Sequence, residues 1–341
     1  MEEQSRNGHH QQNFIIIDSN QVRNLLSEAI LIHHLQSAFS NKTIHSPERQ
    51  TFRINSENND NNSPPGTLLL MPAWSQSPQA PYIGVKIVTS FPHNTQVAMP
   101  SINASYMLSD SFTGRPLAFI DGTEITHWRT SCISALAASY LARQEPHVLV
   151  MVGAGQLAPY LIRAHLYVRP TFKKVIIWNR SPSKAQALVE NLSGRLGSGV
   201  EIERGVDLDE IVGQADVISC ATCSELPLVH GGVLKPGTHL DLVGSFSPSM
   251  KECDDEALAR ARIFVDCEVA LKEAGELVGA FGRGVILPQD VVGTLAELAR
   301  GEKGGRSGIE EITVFKSVGS AAVDLVTAQL IYEKHVQCTS D

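Results

Sequence analysis

The first third of the chain lays out its apolar positions at helical spacing and then at strand spacing. Phe14-Ile-Ile-Ile17 is a short apolar run, and Asp18 and Ser19 follow it as candidate N-caps. Val22, Leu25, Leu26, Ala29, Ile32 and Leu35 then recur at near-helical intervals, so one helix is expected to run to about Ser40. Strand-like runs come next, at 50–54, 67–71, 82–90, 102–108 and 117–120. The Asn-, Ser- and Pro-rich stretch 55–66 reads as a mobile loop, and Ser111-Phe-Thr-Gly114 as a hairpin turn. This part predicts one helix on a mostly antiparallel sheet.

Near Thr126 the pattern changes. Residues 128–142 carry Ala and Leu at helical spacing, a bridge into a second domain. From His147 onward, strand-like runs at 148–152, 175–178, 200–203, 217–220, 239–243, 263–265 and 313–315 alternate with amphipathic stretches. That alternation predicts an α/β fold with a doubly wound parallel sheet of the Rossmann type. A last helix, 321–335, returns to the first domain. The expected division is a polar, disordered 1–13, an α+β domain from 14–128 with 321–341, and the parallel-sheet domain from 129–320.

One turn of the second domain carries a coenzyme signature. Val148-Leu-Val-Met-Val152 leads into Gly153-Ala-Gly155-Gln156-Leu157-Ala158, a G-x-G-x-x-A between strand and helix. The first glycine permits the tight turn, and the second lets a pyrophosphate approach the backbone. The alanine lets the helix pack close to the sheet. Free N–H groups at the helix start, around Gln156 and Leu157, then favour the anion. About 20 residues past the glycines, NAD enzymes place an acidic residue on the ribose 2′-hydroxyl. Here the stretch is Trp178-Asn179-Arg180-Ser181-Pro-Ser-Lys184, with no carboxylate. Asn179 and Ser181 can donate hydrogen bonds and Arg180 can meet a 2′-phosphate, so NADP(H) is favoured.

Composition narrows the partners. At 341 residues the chain is long enough for two domains, since single cores usually stop growing near about 250 residues. Its net charge is −8 with no basic block, which argues against nucleic acid and a membrane surface. It has no apolar run of spanning length and no secretory or clear transit signal, so cytoplasm or plastid stroma is expected. Cys220 and Cys223 have CxxC spacing, but no second pair completes a zinc site. No metal is expected, and both thiols read as reduced and structural.

Three cations in the first half need an explanation. Arg49 follows Pro47 just before a strand, Lys86 sits inside the apolar Ile83-Gly-Val-Lys-Ile-Val88, and Arg129 stands at the start of the bridging helix. Periodicity alone leaves a solvent-facing role open for each. In order, Pro47-Glu-Arg49, Gly84-Val-Lys86, Arg129-Thr-Ser131, Gly153-Ala-Gly-Gln156, His239-Leu-Asp-Leu-Val-Gly244 and Phe315-Lys-Ser-Val-Gly319 resemble the motif series of the ornithine cyclodeaminase/mu-crystallin family. The likeness runs over 14–335. It implies a homodimer joined through the N-terminal sheets, with the active site between the domains. Arg49 and Lys86 would face a substrate carboxylate, and Arg129 both substrate and coenzyme phosphate. Ser101 would lie near the cofactor, and Thr222, Val243, Gly244 and Ser317 along its nicotinamide half.

One position departs from that series. Cyclodeaminases carry an Asp two residues after the last glycine of the fifth stretch, and Phe246 stands there. Phe can neither accept nor deliver a proton, which argues against ornithine cyclisation. Mu-crystallin-like members, which are ketimine reductases, also lack that Asp. Gly84 to Asn94, Ile176 to Arg180 and Leu240 to Ser247 are similar to the family's plant reductases of pipecolate biosynthesis, associated with systemic acquired resistance. This implies NADPH-dependent reduction of a small cyclic imino acid, 1-piperideine-2-carboxylate, to pipecolate. A cyclodeaminase or amino acid dehydrogenase, and a non-catalytic protein holding NADPH and a small ligand, are the alternatives.

Overall fold

The computed structural model describes residues 14–40, 44–54, 66–78, 80–91, 93–94, 99–196 and 199–340; the expected disordered N-terminus and nearly all of the 55–66 loop lie outside them. Among the described residues two sheets form. The first holds β1 (Ile15–Ile17), β2 (Gln50–Ile54), β3 (Gly66–Trp74), β4 (Tyr82–Ser90), β5 (Ile102–Asp110) and β6 (Pro116–Asp121), in the order β1-β6-β5-β4-β3-β2. It is antiparallel except at β1, which runs parallel to β6 with Ile17 opposite Ile120.

The expected single first helix is two. α1 (Ser19–Leu25) is opened by a capping box between Asp18 and Gln21, and α2 (Glu28–Phe39) starts again at Ser27, whose hydroxyl accepts from the Ile30 amide. Leu26 between them is extended yet buried, so the apolar spacing runs through a break in the backbone. α3 (Gly122–Leu141) begins earlier than expected because Asp121 caps it through the Glu124 amide at 2.8 Å. The expected domain boundary at 128/129 falls inside this helix. Most of α3 is buried on every side, as required of a helix enclosed in a core rather than laid on a surface.

The second sheet holds β7 (Val148–Val152), β8 (Lys174–Trp178), β9 (Glu201–Arg204), β10 (Val217–Cys220), β11 (His239–Leu242), β12 (Ala261–Val265), β13 (Val291–Thr294) and β14 (Ile312–Lys316). All its pairings are parallel, in the order β13-β12-β14-β11-β10-β7-β8-β9. Strand order reverses between β7 and β10, and in such sheets the crevice at the carboxyl ends of these strands is where ligands bind. Its helices are α4 (Ala158–Val168), α5 (Pro182–Leu192), α6 (Leu208–Gln214), α7 (Asp255–Ala259), α8 (Ala270–Glu273), α9 (Gly275–Arg283) and α10 (Leu295–Ala299). α11 (Ala321–Ser340) leaves β14 and packs back on the first sheet, against β3, β4 and β5. One core cluster joins Ile17, Leu108, Trp128, Phe264, Phe315 and Ile331, so the two sheets share it. No described helix is long and apolar enough to cross a membrane.

Candidate active site

The glycine turn has the backbone that its motif requires. Gly153 has φ +112°, and a Cβ there would stand 2.6 Å from the Ala221 carbonyl oxygen. Its amide donates to the Trp178 carbonyl at 2.8 Å. Gly155 is exposed, with open space where its Cβ would be. α4 follows its N-cap Leu157 with no side-chain cap; the Ala158 and Tyr160 amides are taken by the Gly155 and Leu157 carbonyls, so among the described residues those of Gly155, Gln156 and Leu157 are left to an anion. Asn179, at the end of β8, braces the turn: its Oδ1 accepts from the Ala154 amide at 3.2 Å and its Nδ2 donates to the Ser181 carbonyl at 3.1 Å. Arg180 is exposed beside them, and the Ser181 hydroxyl lies 3.1 Å from that of Ser183. These residues fit a dinucleotide whose pyrophosphate rests on the turn.

Further along the crevice, Thr222, Val243, Gly244 and Ser317 stand just past the ends of β10, β11 and β14. Glu252 joins two of these ends: it accepts from the Thr222 amide at 2.7 Å and from the Gly244 amide at 2.8 Å. Phe246, half-buried, packs against the apolar core on that side. Ser101, before β5, accepts from the Phe91 amide through its carbonyl at 2.7 Å and is not joined to the cations described next.

Those three cations converge, and the solvent-facing option for Lys86 is overturned. On β4 the buried residues are Tyr82, Gly84 and Lys86, on the face that packs against α11, and Lys86 is 2 % exposed. Its Nζ lies 2.7 Å from Asp324 Oδ2, and Arg129 Nε lies 3.0 Å from the other oxygen of that carboxylate. Arg49 donates to the Val318 and Gly319 carbonyls at 3.2 and 2.8 Å and pairs with Glu273 at 3.2 Å. The turn at 317–319 is therefore where Arg49 and Arg129 meet, and Lys86 joins Arg129 through Asp324. Gly319 has φ +86°, and a Cβ there would stand 2.8 Å from both terminal nitrogens of Arg129. Asp266 fixes the turn from behind, its Oδ2 accepting from Ser317 Oγ and the Val318 and Gly319 amides at 2.8, 3.0 and 2.7 Å.

Burial pushes the Lys86 ammonium down to about 8; Asp324 opposes this, and Arg129 and Arg49 add to it. Tyr106 fills the space over Gly84, and its buried hydroxyl has no hydrogen-bond partner among the described residues. A cavity of about 350 Å³ lies across Asp266 from this group, lined by Leu35, Phe39, Ile44 and Val326 among others, and Arg49, Lys86 and Arg129 do not line it.

Sequence reasoning missed Asp324, Asp266, Glu252 and Glu273. Asp324 had a signal, as the one charge in Ala321-Ala-Val-Asp-Leu-Val-Thr-Ala-Gln-Leu330. Asp266 had a weaker one, standing at the carboxyl end of a strand run. Nothing local marked Glu252 or Glu273. His127 lies in a structural group, tilted on Tyr160 and 3.9 Å from Glu124, and His93 packs edge-on to Phe91.

Comparison with known proteins adds to this geometry. The sequence pattern described as the ornithine cyclodeaminase/mu-crystallin family matches residues 14–339. Protein SAR DEFICIENT 4 of Arabidopsis thaliana is 49% identical over 325 residues, 94% of this chain and 98% of that protein. The structure of Thermococcus litoralis Delta(1)-pyrroline-2-carboxylate reductase in complex with NADH and L-proline superposes with a TM-score of 0.88 at 32% identity, covering 95% of this chain and 98% of that one. An archaeal alanine dehydrogenase dimer with bound NAD does so with a TM-score of 0.84 at 30% identity, covering 95% and 96%.

Proposed function

The chain belongs to the ornithine cyclodeaminase/mu-crystallin family, and from that premise we propose that it is an NADPH-dependent reductase of a cyclic ketimine carboxylate, converting 1-piperideine-2-carboxylate to pipecolate. The observation that carries the reading is the meeting of Arg49 and Arg129 at the 317–319 turn with Lys86 tied to Arg129 through Asp324, in a fold that also holds a glycine turn suited to a dinucleotide. A reductase acting on a C=N bond is the coarser statement, supported by the likeness to an imino acid reductase. Ring size and coenzyme form are the finer part. The solved relatives hold NADH and NAD, so NADPH rests on this chain's own Asn179-Arg180-Ser181, where no carboxylate stands.

In this reading the Gly153 turn brings the amides of Gly155, Gln156 and Leu157 to the pyrophosphate. Asn179, Arg180 and Ser181 hold the adenosine end, and Ser101, Thr222, Val243, Gly244 and Ser317 the nicotinamide half. Arg49 and Arg129 bind the substrate carboxylate, whose planar shape matches the guanidinium fork. The coenzyme, when bound, supplies a hydride to the imine carbon. Lys86 delivers the balancing proton to the ring nitrogen, so that one C–H and one N–H bond replace the π bond of C=N. Asp324 keeps the Lys86 ammonium charged in a site that excludes water. Phe246 supplies no carboxylate for ammonia loss, which speaks against cyclisation of ornithine.

The domain roles follow, with 14–128 and 321–341 taking the substrate and 129–320 the coenzyme. A homodimer through the first sheet is part of the proposal, supported by its outer strand β2, exposed along its whole length with Phe52 and Ile54 among its side chains. The test is loss of reduced-coenzyme absorbance with 1-piperideine-2-carboxylate and with pyrroline-2-carboxylate, each with NADPH and NADH. Oxidation of NADPH faster than NADH is expected, with no ammonia released from ornithine. Binding of NADPH without oxidation by either imine would sink the reading and favour a non-catalytic holder.

A further inference from the structure

Beneath the crevice lies a second charged group that the chemistry above does not use. Glu252, Glu276 and Lys316 are all fully buried, on the segment before α7, on α9 and at the end of β14. Lys316 Nζ lies 3.0 Å from Ser245 Oγ and 3.2 Å from Glu276, with Glu252 farther at 3.9 Å. Ser245 Oγ also donates to Glu276. Burying three charges is costly, and an apolar replacement of equal volume often stabilises a fold as well or better. A structural role alone leaves that cost unexplained.

What Glu252 touches explains it. One carboxylate oxygen accepts from the Thr222 amide and hydroxyl at 2.7 and 3.0 Å, and the other from the Gly244 and Ser245 amides at 2.8 and 3.3 Å. The ends of β10 and β11 are thus pinned to one side chain. Gly244 leaves no room for slack, since a Cβ there would collide with the Thr222 backbone. Gly275, at the start of α9, is packed as closely on the Met250 carbonyl, so Glu276 is held in register with the same loop. Lys316 precedes Ser317 and anchors the third strand end.

We propose that Glu252 is a positioning residue for the coenzyme: through Thr222 and Gly244 it sets the seat of the nicotinamide ring, and it has no part in holding the adenosine half. This rests on the dinucleotide reading above. The adenosine end lies across the sheet at Asn179–Ser181, with no contact to this group among the described residues. The two halves of the coenzyme should therefore respond differently to a change at 252.

Glu252→Gln keeps the volume but turns an NH2 toward amide donors, leaving at least one unpaired. Binding of NADPH and of adenosine 2′,5′-bisphosphate would be measured by titration for wild type, Glu252→Gln and Glu252→Asp. NADPH affinity is expected to fall about tenfold or more in both variants, as for a lost charge-assisted hydrogen bond, with fragment affinity unchanged. An equal loss for both ligands, or none for either, overturns the proposal. Should neither variant fold, hydrogen exchange on the wild type decides. The Thr222 and Gly244 amides should slow on adding NADPH and not on adding the fragment, and no slowing with NADPH overturns the assignment. Wild type that binds both ligands but oxidises NADPH with no cyclic imine would count against the reductase and leave the Glu252 comparison intact. Wild type that binds neither defeats both.

Discussion

In the proposed reaction Lys86 and Asp324 act as a pair, and each accounts for the burial of the other. A buried ammonium with no counterion would shed its proton, and with Asp324 alone it would hold it firmly. Burial together with Arg129 and Arg49 leaves it near 8. Lys86→Ala is expected to lower turnover by more than about a hundredfold, the low end of what a positioned acid contributes, while coenzyme affinity stays within about twofold. Arg129 still pairs with Asp324 in that variant, so no buried carboxylate is orphaned and the fold should hold. The sign of the pH effect follows from the proton. Turnover should decline as pH rises through about 8, because only the charged form donates. Asp324→Asn removes the carboxylate that raises the Lys86 value, so the alkaline limb should move to lower pH. A limb that stays put in a pH–rate profile would assign it to another group. The cations of this site were legible as motifs, whereas their partners were not. Arg49 meets carbonyls at 318 and 319, and Lys86 a carboxylate at 324, and only the tertiary fold brings these together.

Among the elements, the parallel sheet was read from the chain almost strand by strand, because its signal is local: an apolar run bounded by turns. What was misread shows where locality ends. β13 has four residues, one a glycine, and is a strand only because β12 offers it an edge. Gly122 and Thr123 are weak helix formers, yet α3 includes them because Asp121 caps the helix, a contact worth about 1 kcal/mol. On β11 the motif His239-Leu-Asp241 points both polar residues to one buried face. Asp241 meets His165 at 3.2 Å and Ser219 at 2.7 Å, and His239 Nδ1 lies 2.9 Å from the Thr313 hydroxyl. Burial pushes His239 down to about 3, with Asp241 opposing and His165, Arg306 and Arg169 adding to the shift. Below about 6.5 the unfolded chain takes a proton that the folded one refuses until about 3, so this residue's stabilisation is full above 6.5 and drains away as pH falls. His239→Asn should flatten that part of the stability curve, measured by denaturant unfolding from pH 7 to 4. A slope equal to that of wild type would mean that His239 does not govern it.

At the scale of the whole molecule, the two sheets are joined by α3 and closed by α11, and the exposed face of β2 is left over. If that edge is where two copies meet, Phe52→Glu with Ile54→Glu should shift a dimer to monomer in sedimentation at micromolar concentration, by putting charge into an apolar contact. A dimer that persists would place the interface elsewhere. The closing helix has a further consequence. As the chain leaves the ribosome, the strand bearing Lys86 emerges long before residue 324, with the entire parallel sheet still to be made in between. Until the last helix arrives, that side chain lacks its carboxylate partner and must either stay hydrated or give up its proton. A chain interrupted before that helix would carry Lys86 without the carboxylate that holds its charge.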